Sequence, residues 1–522
     1  MAQSDTYDVL VVGYGPTGMM AAILLGRAGH RVAVLERHTT LYNLPRVGIV
    51  HDDVLRMFQE IGCLERVKPA TFFLPEYQLA NRDRVLLTTK VATYATHGWP
   101  EFTSIYQPAF EFELDRLAKS LPSVEVMQGE TVTAVTQDAD SVEAAIRDES
   151  GATRRVRGRY MVAADGGNSF VRQALGVPYE DLGFNQEWLV IDAKKKRGRP
   201  GLPPYRQFCD PEQPGMSLQM GPEHRRWSFM ILPGESPTEV VKPDSVWRRL
   251  DRPLGASPDE YELIRVVSYT FRSLIAERWR VGRIFLAGDA AHQMPPNLAQ
   301  GLCTGFRDAQ NLAWKLDLAI KGIGGDALLD CYMPEREPST RATVVESMRV
   351  AQTVIIRDPE KAKARDAQMV AMQAEIDKGN KPLIAFRVPG YRAGCVAPGG
   401  GAAAGQPFVQ GKVRRGAKEA LFDDVVGAGF VILARKGDPM AALSAADRAF
   451  WASLGGKIAT LDGAGADRIE DVEGRYAALL DEHGCDAVIA RPDHYMFGGC
   501  RKVSELPLLM AALRRSLGAG TA

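Results

Sequence analysis

Asp8-Val9-Leu10-Val11-Val12-Gly13-Tyr14-Gly15-Pro16-Thr17-Gly18, residues 8–18, is the stretch on which the reading of this chain turns. Asp8 to Val12 is short and apolar, the pattern of a strand buried on both faces. A helical stretch follows from Met19 to Ala28, and Gly29 ends it. A second apolar run, Arg31-Val32-Ala33-Val34-Leu35, closes on Glu36. Strand, glycine turn, helix, strand and acid is the order of a dinucleotide-binding βαβ unit. Gly13 permits the tight turn, Gly15 lets backbone approach a pyrophosphate, and Gly18 lets the helix pack close to the sheet. The helix N-terminus offers unpaired N–H groups to phosphate. Glu36 can accept hydrogen bonds from ribose hydroxyls. A bare GxGxxG is also a common glycine-rich turn; here strand, helix and acid all stand in place.

At 522 residues the chain is too long for one compact core, so two or three domains are expected. Hydrophobic residues make up 45% and charged residues 25%, the balance of an ordinary globular protein. Lys+Arg and Asp+Glu both number 64. That neutrality argues against nucleic acid, and against an anionic membrane surface, as partners held by bulk charge. Met1 to Tyr7 is polar, so no signal peptide is read, and no run reaches the ~18 apolar residues of a spanning helix. The seven cysteines are scattered without a CxxC pair. They read as reduced thiols of a cytoplasmic protein, with no metal site and no disulfide framework.

Leu44 to His51 leads into a helical pattern from about Asp52 to Ile61. Arg46 reads equally as a phosphate partner or a solvated loop charge. His51, at a loop-to-helix junction, is a position where histidines more often pack or cap than react. Residues 77–106 alternate loosely and suggest antiparallel strands. Tyr106-Gln107-Pro108 opens a helix to about Lys119, and short strands follow near 124–127, 132–136 and 142–147. Tyr160 to Ser169 is a buried-type strand ending in Asp165-Gly166. From about 177 to 276 longer strands with proline-rich loops indicate an inserted, sheet-rich module and a candidate substrate wall. The chain then returns to an apolar strand ending in Gly288-Asp289, with Pro295-Pro296, Gln300-Gly301 and a long amphipathic helix from Leu302 to about Lys321. Ligands of open α/β sheets bind at the carboxyl ends of strands, where all these acids stand. Residues 335–388 are helical and charged. The glycines and alanines of Pro398 to Gly405 have the composition of a flexible linker. Beyond it strands near 429–434, 457–460 and 486–490 and helices near 443–454, 472–483 and 504–516 form a small α/β domain.

In this order, GxGxxG with Glu36, Asp165-Gly166 and Gly288-Asp289 with Pro-Pro and Gln-Gly resemble the flavoprotein aromatic hydroxylases, the single-component FAD monooxygenases. The likeness is nearest to the branch acting on 3-(3-hydroxyphenyl)propionate, phenol and resorcinol, and covers roughly residues 6–390. The C-terminal region resembles that branch's thioredoxin-like domain; without CxxC, packing or homodimer formation is expected of it rather than redox chemistry. The resemblance implies an α/β fold: a Rossmann-type FAD-binding domain (1–176 and 277–390), an inserted sheet-rich substrate module (177–276), a linker (391–407) and a thioredoxin-like domain (408–522).

It also implies a site. Gly13, Gly15, Pro16, Thr17 and Gly18 would hold the FAD pyrophosphate and Glu36 the adenosine ribose. Arg37, Arg46 and Gln107 would lie near the ribose, pyrophosphate and ribityl chain. Asp165-Gly166 matches a motif tied to both FAD and the nicotinamide donor, and Gly288, Asp289 and Pro296 belong to the ribityl and flavin side. Gly301, Leu302 and Cys303 would lie beside the flavin pyrimidine. His51, Tyr205, Arg206 and Gln219 are the substrate-facing candidates, with His51 also the candidate base at its ordinary pKa of ~6.5. The implied reaction takes NADH or NADPH, O2 and a small phenolic ring, and hydroxylates it through a C4a-hydroperoxyflavin. Ala299 stands where the family commonly has glycine, and Cys303 where asparagine is frequent. Another flavoenzyme on the same scaffold (epoxidase, halogenase or reductase) and a non-catalytic flavin-binding protein are the rival readings.

Overall fold

The computed structural model describes residues 6–197, 201–254, 256–379, 387–462 and 465–518. Strand Thr6–Val12, with Val9, Leu10 and Val11 fully buried, lies at the middle of a sheet. Its parallel neighbours are Val32–Glu36 on one side and Thr153–Ala163 on the other. Val124–Gln128 extends the first side and Ile284–Leu286 the second, both parallel. The apolar strands are those of a sheet covered on both faces. Helix Pro16–Arg27 covers one face, its proline at the first position where no intrahelical N–H is needed. Val12 is in register with Ala163, and Ala163 with Leu286. The three turns that follow these strands therefore emerge side by side.

The inserted sheet departs from the expected boundaries. Its eight strands run in the order His292–Gln293, Tyr261–Ala276, Tyr179–Lys195, His224–Met230, Gly215–Met220, Tyr205–Phe208, Glu76–Ala80 and Val85–Lys90. Two of the eight come from the segment before residue 177, because Tyr205–Phe208 leaves an edge that Glu76–Ala80 pairs with in parallel. Leu189, Ile191, Phe208, Trp227 and Phe229 point to one face, packed with Val246 and Leu250 of helix Pro243–Leu254. Tyr205, Leu218 and Met220 point to the other, against Ile49 and Leu74. This second face looks toward the nucleotide domain.

The C-terminal sheet has the order Lys457–Asp462, Val431–Lys436, Ala487–Ala490, Met496–Cys500, the first pair parallel and the others antiparallel. Met496–Cys500 escaped sequence reading because Gly498 and Gly499 interrupt its apolar pattern. Those glycines admit the segment expected to be a free linker: a Cβ on Gly498 would stand 2.8 Å from the Ala397 Cβ. The Ala397 amide donates to the Phe497 carbonyl at 2.7 Å, and Tyr391, Cys395 and Ala403 are buried. Small residues here serve close packing. A buried ion cluster completes the attachment. Glu335 accepts from Lys315 and from Arg491 of the C-terminal domain, each at 2.6 Å, and from the Cys395 amide at 2.7 Å. Among the described residues no helix is long and apolar enough to cross a membrane.

Candidate functional site

The three acidic-glycine markers meet around Thr17. A Cβ on Gly13, whose φ is +95°, would strike the Ala164 carbonyl at 2.4 Å, so the turn before Asp165-Gly166 rests directly on the glycine turn. A Cβ on Gly288 would stand 2.8 Å from Thr17 Oγ1, and one on Gly305 of helix Gly301–Ile320 only 2.4 Å from it. Gly15 and Gly166 face open space. The close contacts draw the turns together and the open glycines leave room above them, which is the shape a pyrophosphate requires. Glu36 closes one end. Its Oε2 accepts from the Tyr14 amide at 2.7 Å and Oε1 from the His38 amide at 2.9 Å, leaving lone pairs for ribose hydroxyls. Arg37 is exposed beside it.

Two acids mark the other end, Asp165 half-buried and Asp289 exposed. Asp165 Oδ2 accepts from the Val171 amide at 3.1 Å, while Oδ1 is buried without a protein partner; burial pushes this carboxyl up. An orphaned acceptor beside a helix-and-turn cradle is what a bound nucleotide would satisfy. Asp289 stands exposed in its turn. Desolvation still raises its carboxyl, opposed by His292 and Arg46. His292 belongs to the frame: its Nε2 and the Gly288 amide meet Asp308 Oδ2 at 2.6 and 3.0 Å, and Arg336 donates to Oδ1 at 2.9 Å. Tyr179, unread in the sequence, ties the two acid turns: its Oη lies 2.9 Å from the Asp289 carbonyl, under the Arg172 guanidinium at 3.9 Å.

Gln107 and Arg46 have more specific settings than the resemblance assigned. Gln107 Oε1 accepts from the Arg46 and Val47 amides at 2.9 and 2.6 Å, and Nε2 donates to Glu111 Oε1 at 2.5 Å. Its amide is committed to shaping the loop. The Arg46 side chain, 43% exposed, pairs with Glu111 at 2.9 Å and lies over the Tyr42 ring. The inserted sheet grips the same loop from above. Arg226 donates to the Arg46 and Pro45 carbonyls at 2.6 and 3.0 Å while paired to fully buried Asp192 at 2.7 Å, and Arg265 reaches Pro45 at 2.7 Å. Alternation from Arg226 through Ser228 was the legible signal for a polar face; which loop it met was not. Tyr269, 49% exposed and electrostatically linked to Asp289 and Arg46, stands on the same face.

His51 ends strand Ile49–His51 and stands at the residue before helix Asp52–Glu60, without a capping hydrogen bond from its side chain. Nε2 lies 3.2 Å from the Leu298 carbonyl, Nδ1 lies 3.2 Å from Gln300 Nε2, and Phe102 packs edge-on at 4.7 Å. Gln300 in turn accepts from Arg307 at 2.8 Å, and Arg307 pairs with Asp53 at 2.5 Å. Burial lowers the His51 pKa to about 4, against the pull of Asp53. The ring is neutral near pH 7 and both nitrogens already have partners. The ring thus does not keep the ordinary pKa of ~6.5 on which its candidacy as a base, implied by the resemblance, rested. Tyr205 packs nearby, in one apolar cluster with Ile49, Leu74 and Leu218 and with Phe102 against it. Arg206 and Gln219 do not: successive strand residues alternate faces, and Arg206 turns to Gln78 at 2.6 Å while Gln219 donates to the Gly221 carbonyl at 3.1 Å. Pro296 opens the turn Pro296–Leu298, followed by Ala299 in the left-handed region (φ 54°). That conformation explains why glycine is the usual residue there. Leu302 is partly open at the start of the long helix; Cys303 is buried, its thiol pushed up to about 12 by desolvation.

A parallel sheet, three turns converging on one open cradle and an orphaned acid define a dinucleotide-binding protein. The chain belongs to the FAD binding domain family, which matches residues 6–347, and residues 405–516 match the HcaD C-terminal domain. It is 42% identical to a "probable NADH-specific resorcinol 4-hydroxylase" of Rhodococcus jostii (strain RHA1), over 99% of this chain and 95% of the relative. It is 34% identical to a 3-(3-hydroxy-phenyl)propionate/3-hydroxycinnamic acid hydroxylase of Mycobacterium sp. (strain JLS), over 95% and 89%. The solved flavin-dependent monooxygenase PieE, with FAD and substrate, superposes with a TM-score of 0.83 at 22% identity, covering 99% of this chain and all of that one. The chain is an FAD-dependent aromatic hydroxylase.

Proposed function

We propose that this enzyme takes its electrons from NADH and hydroxylates a small, neutral phenol of the resorcinol class. NADH, O2, a proton and the phenol give NAD+, water and the ring with one more hydroxyl. When bound, FAD supplies the electron and oxygen chemistry. The chain's residues hold and shield it. Gly13, Gly15, Thr17 and Gly18 would take the pyrophosphate, Glu36 the ribose, and the amides opening helix Gly301–Ile320 would stabilise negative charge on the reduced ring. Tyr77, Phe102, Tyr205, Met216 and Leu218 belong to one apolar cluster, which would wall the substrate side. Such walls exclude water from the reacting centre.

The observation that carries the choice of substrate is the state of the nearby cations. Arg206 is turned to the opposite face of the sheet, and Arg307 is held by Asp53 and Gln300. Among the described pocket residues a substrate carboxylate meets no uncommitted cation. The name of the 42% identical relative supports the same class and the same donor. His51, neutral and engaged at both nitrogens, fixes the Leu298–Gln300 turn against the pocket. The test is a panel of resorcinol, phenol and 3-(3-hydroxyphenyl)propionate, scored for stimulated NADH oxidation and for product mass. Resorcinol giving the highest kcat/KM with a hydroxylated product supports the proposal; preference for the propionate contradicts it.

A further inference from the structure

Tyr205 and Gln207 lie on the same face of strand Tyr205–Phe208, both buried. Gln207 Nε2 donates to Tyr205 Oη at 2.7 Å and lies 3.5 Å from the Asn297 carbonyl. A carbonyl only accepts, which fixes the amide with nitrogen toward Asn297 and oxygen away from it. That oxygen, Gln207 Oε1, is buried without a partner, and so is Asn297 Oδ1 one residue before Leu298. Tyr205 Oη accepts from Gln207 and keeps its own proton to give; burial pushes this phenol up to about 12, so it stays protonated. His51 abuts the Leu298 carbonyl and Gln207 the Asn297 carbonyl, so both residues sit against one turn. A buried amide oxygen without a donor is unfavourable unless a ligand supplies one.

We propose that Tyr205 and Gln207 seat a second hydroxyl of the substrate, making them the residues that select dihydroxybenzenes over simple phenols and over carboxylated rings. A hydroxyl is the group that fits: it accepts from the Tyr205 O–H and donates to Gln207 Oε1. A carboxylate has no proton to donate and would set its charge against two amide oxygens. Met216, opposite Gln207 in the ladder and partly open, is the flexible side chain that yields to admit the ring. This inference rests on the phenol-hydroxylase reading above.

The experiment uses FAD-loaded holoenzyme and the variants Gln207→Leu, Gln207→Glu and Tyr205→Phe. Binding of resorcinol and of phenol is titrated by perturbation of the flavin absorbance, beside kcat/KM for each. Gln207→Leu and Tyr205→Phe are expected to weaken resorcinol about tenfold to a hundredfold and phenol by less than about threefold. Gln207→Glu, which keeps an acceptor, retains more resorcinol binding than Gln207→Leu. Equal losses for both ligands, or no loss for either, would overturn the assignment, as would a wild-type holoenzyme that binds no dihydroxybenzene. Flavin content guards against misfolding, and Gln207→Glu gives an isosteric second reading. Should wild type bind resorcinol without forming product, the functional reading fails while the titrations still decide the seat.

Discussion

Replacing Gly305 by alanine tests how closely the nucleotide cradle is drawn together. The added Cβ would stand 2.4 Å from Thr17 Oγ1 and 3.3 Å from Gly288 Cα. The first distance is about an ångström short of ordinary van der Waals contact, so helix Gly301–Ile320 must shift off the glycine turn or Thr17 must turn. Overpacking of this kind costs about 1–3 kcal/mol. Displacing the turn also moves the amides of Thr17 and Gly18, so FAD affinity should fall with stability. The severe clash is with Thr17 Oγ1, and Thr17→Ala removes it, leaving the tight 3.3 Å approach to Gly288 Cα and an ordinary 3.6 Å contact with the Thr17 Cβ. Thr17→Ala in the Gly305→Ala background should therefore restore more than half of the lost stability, a coupling of about 1 kcal/mol or more. Thermal unfolding followed by flavin fluorescence, with FAD titrated into the apoproteins, reads both quantities. A Gly305→Ala protein as stable and as flavin-avid as wild type would refute the packing argument, and so would strict additivity of the pair.

Other consequences follow from the same geometry. Arg226→Met leaves buried Asp192 to the more distant Arg265 at 3.5 Å and releases the Pro45 and Arg46 carbonyls; urea unfolding should show a loss of about 1–3 kcal/mol, with weaker FAD binding, and an unchanged midpoint would count against it. Burial alone would push the Glu335 carboxyl up, but Arg491 and Lys315 more than reverse this and hold it at about 2. Its contribution is thus complete above the ordinary carboxylate pKa of ~4.3 and is lost as pH falls from there through about 2. Glu335→Gln should be about 3–5 kcal/mol less stable near pH 7, with the gap to wild type narrowing in that acid window; a constant gap by circular dichroism would contradict the assignment. Ala299→Gly removes a side chain from a left-handed residue at φ 54° and should gain up to about 1 kcal/mol by thermal unfolding, where a loss would show the strain is absent.

The nucleotide half was legible because its signals are local. A buried strand, a glycine turn and an acid at the next strand's end each lie within a few residues, and the register then aligns Gly13, Asp165 and Gly288 without further information. What escaped needed long-range partners. Glu76–Ala80 joins the inserted sheet only because Tyr205–Phe208 presents an edge far along the chain. Residues 391–407 look flexible by composition, yet their small side chains let them lie against Gly498 and Gly499. Arg206 and Gln219 carry suitable chemistry, but which face of the sheet meets the nucleotide domain is not local information, and alternation turns both away. Gln207, next to Arg206 and two residues from Tyr205, gives no sequence signal because an amide in a strand carries no motif. The pKa of His51 depends on how deeply the Leu298–Gln300 turn encloses it, which no local pattern shows.

Direct determination of the flavin bears hardest on this description of the chain. Protein purified without added cofactor, denatured, and its released chromophore identified and counted should yield FAD approaching one per chain, and Gly13→Ala, which sets a Cβ 2.4 Å from the Ala164 carbonyl, should yield little. Colourless wild-type protein whose intrinsic fluorescence does not respond to added FAD would contradict the cradle, the fit of Asp165 and Glu36 to a nucleotide, and the chemistry built on them.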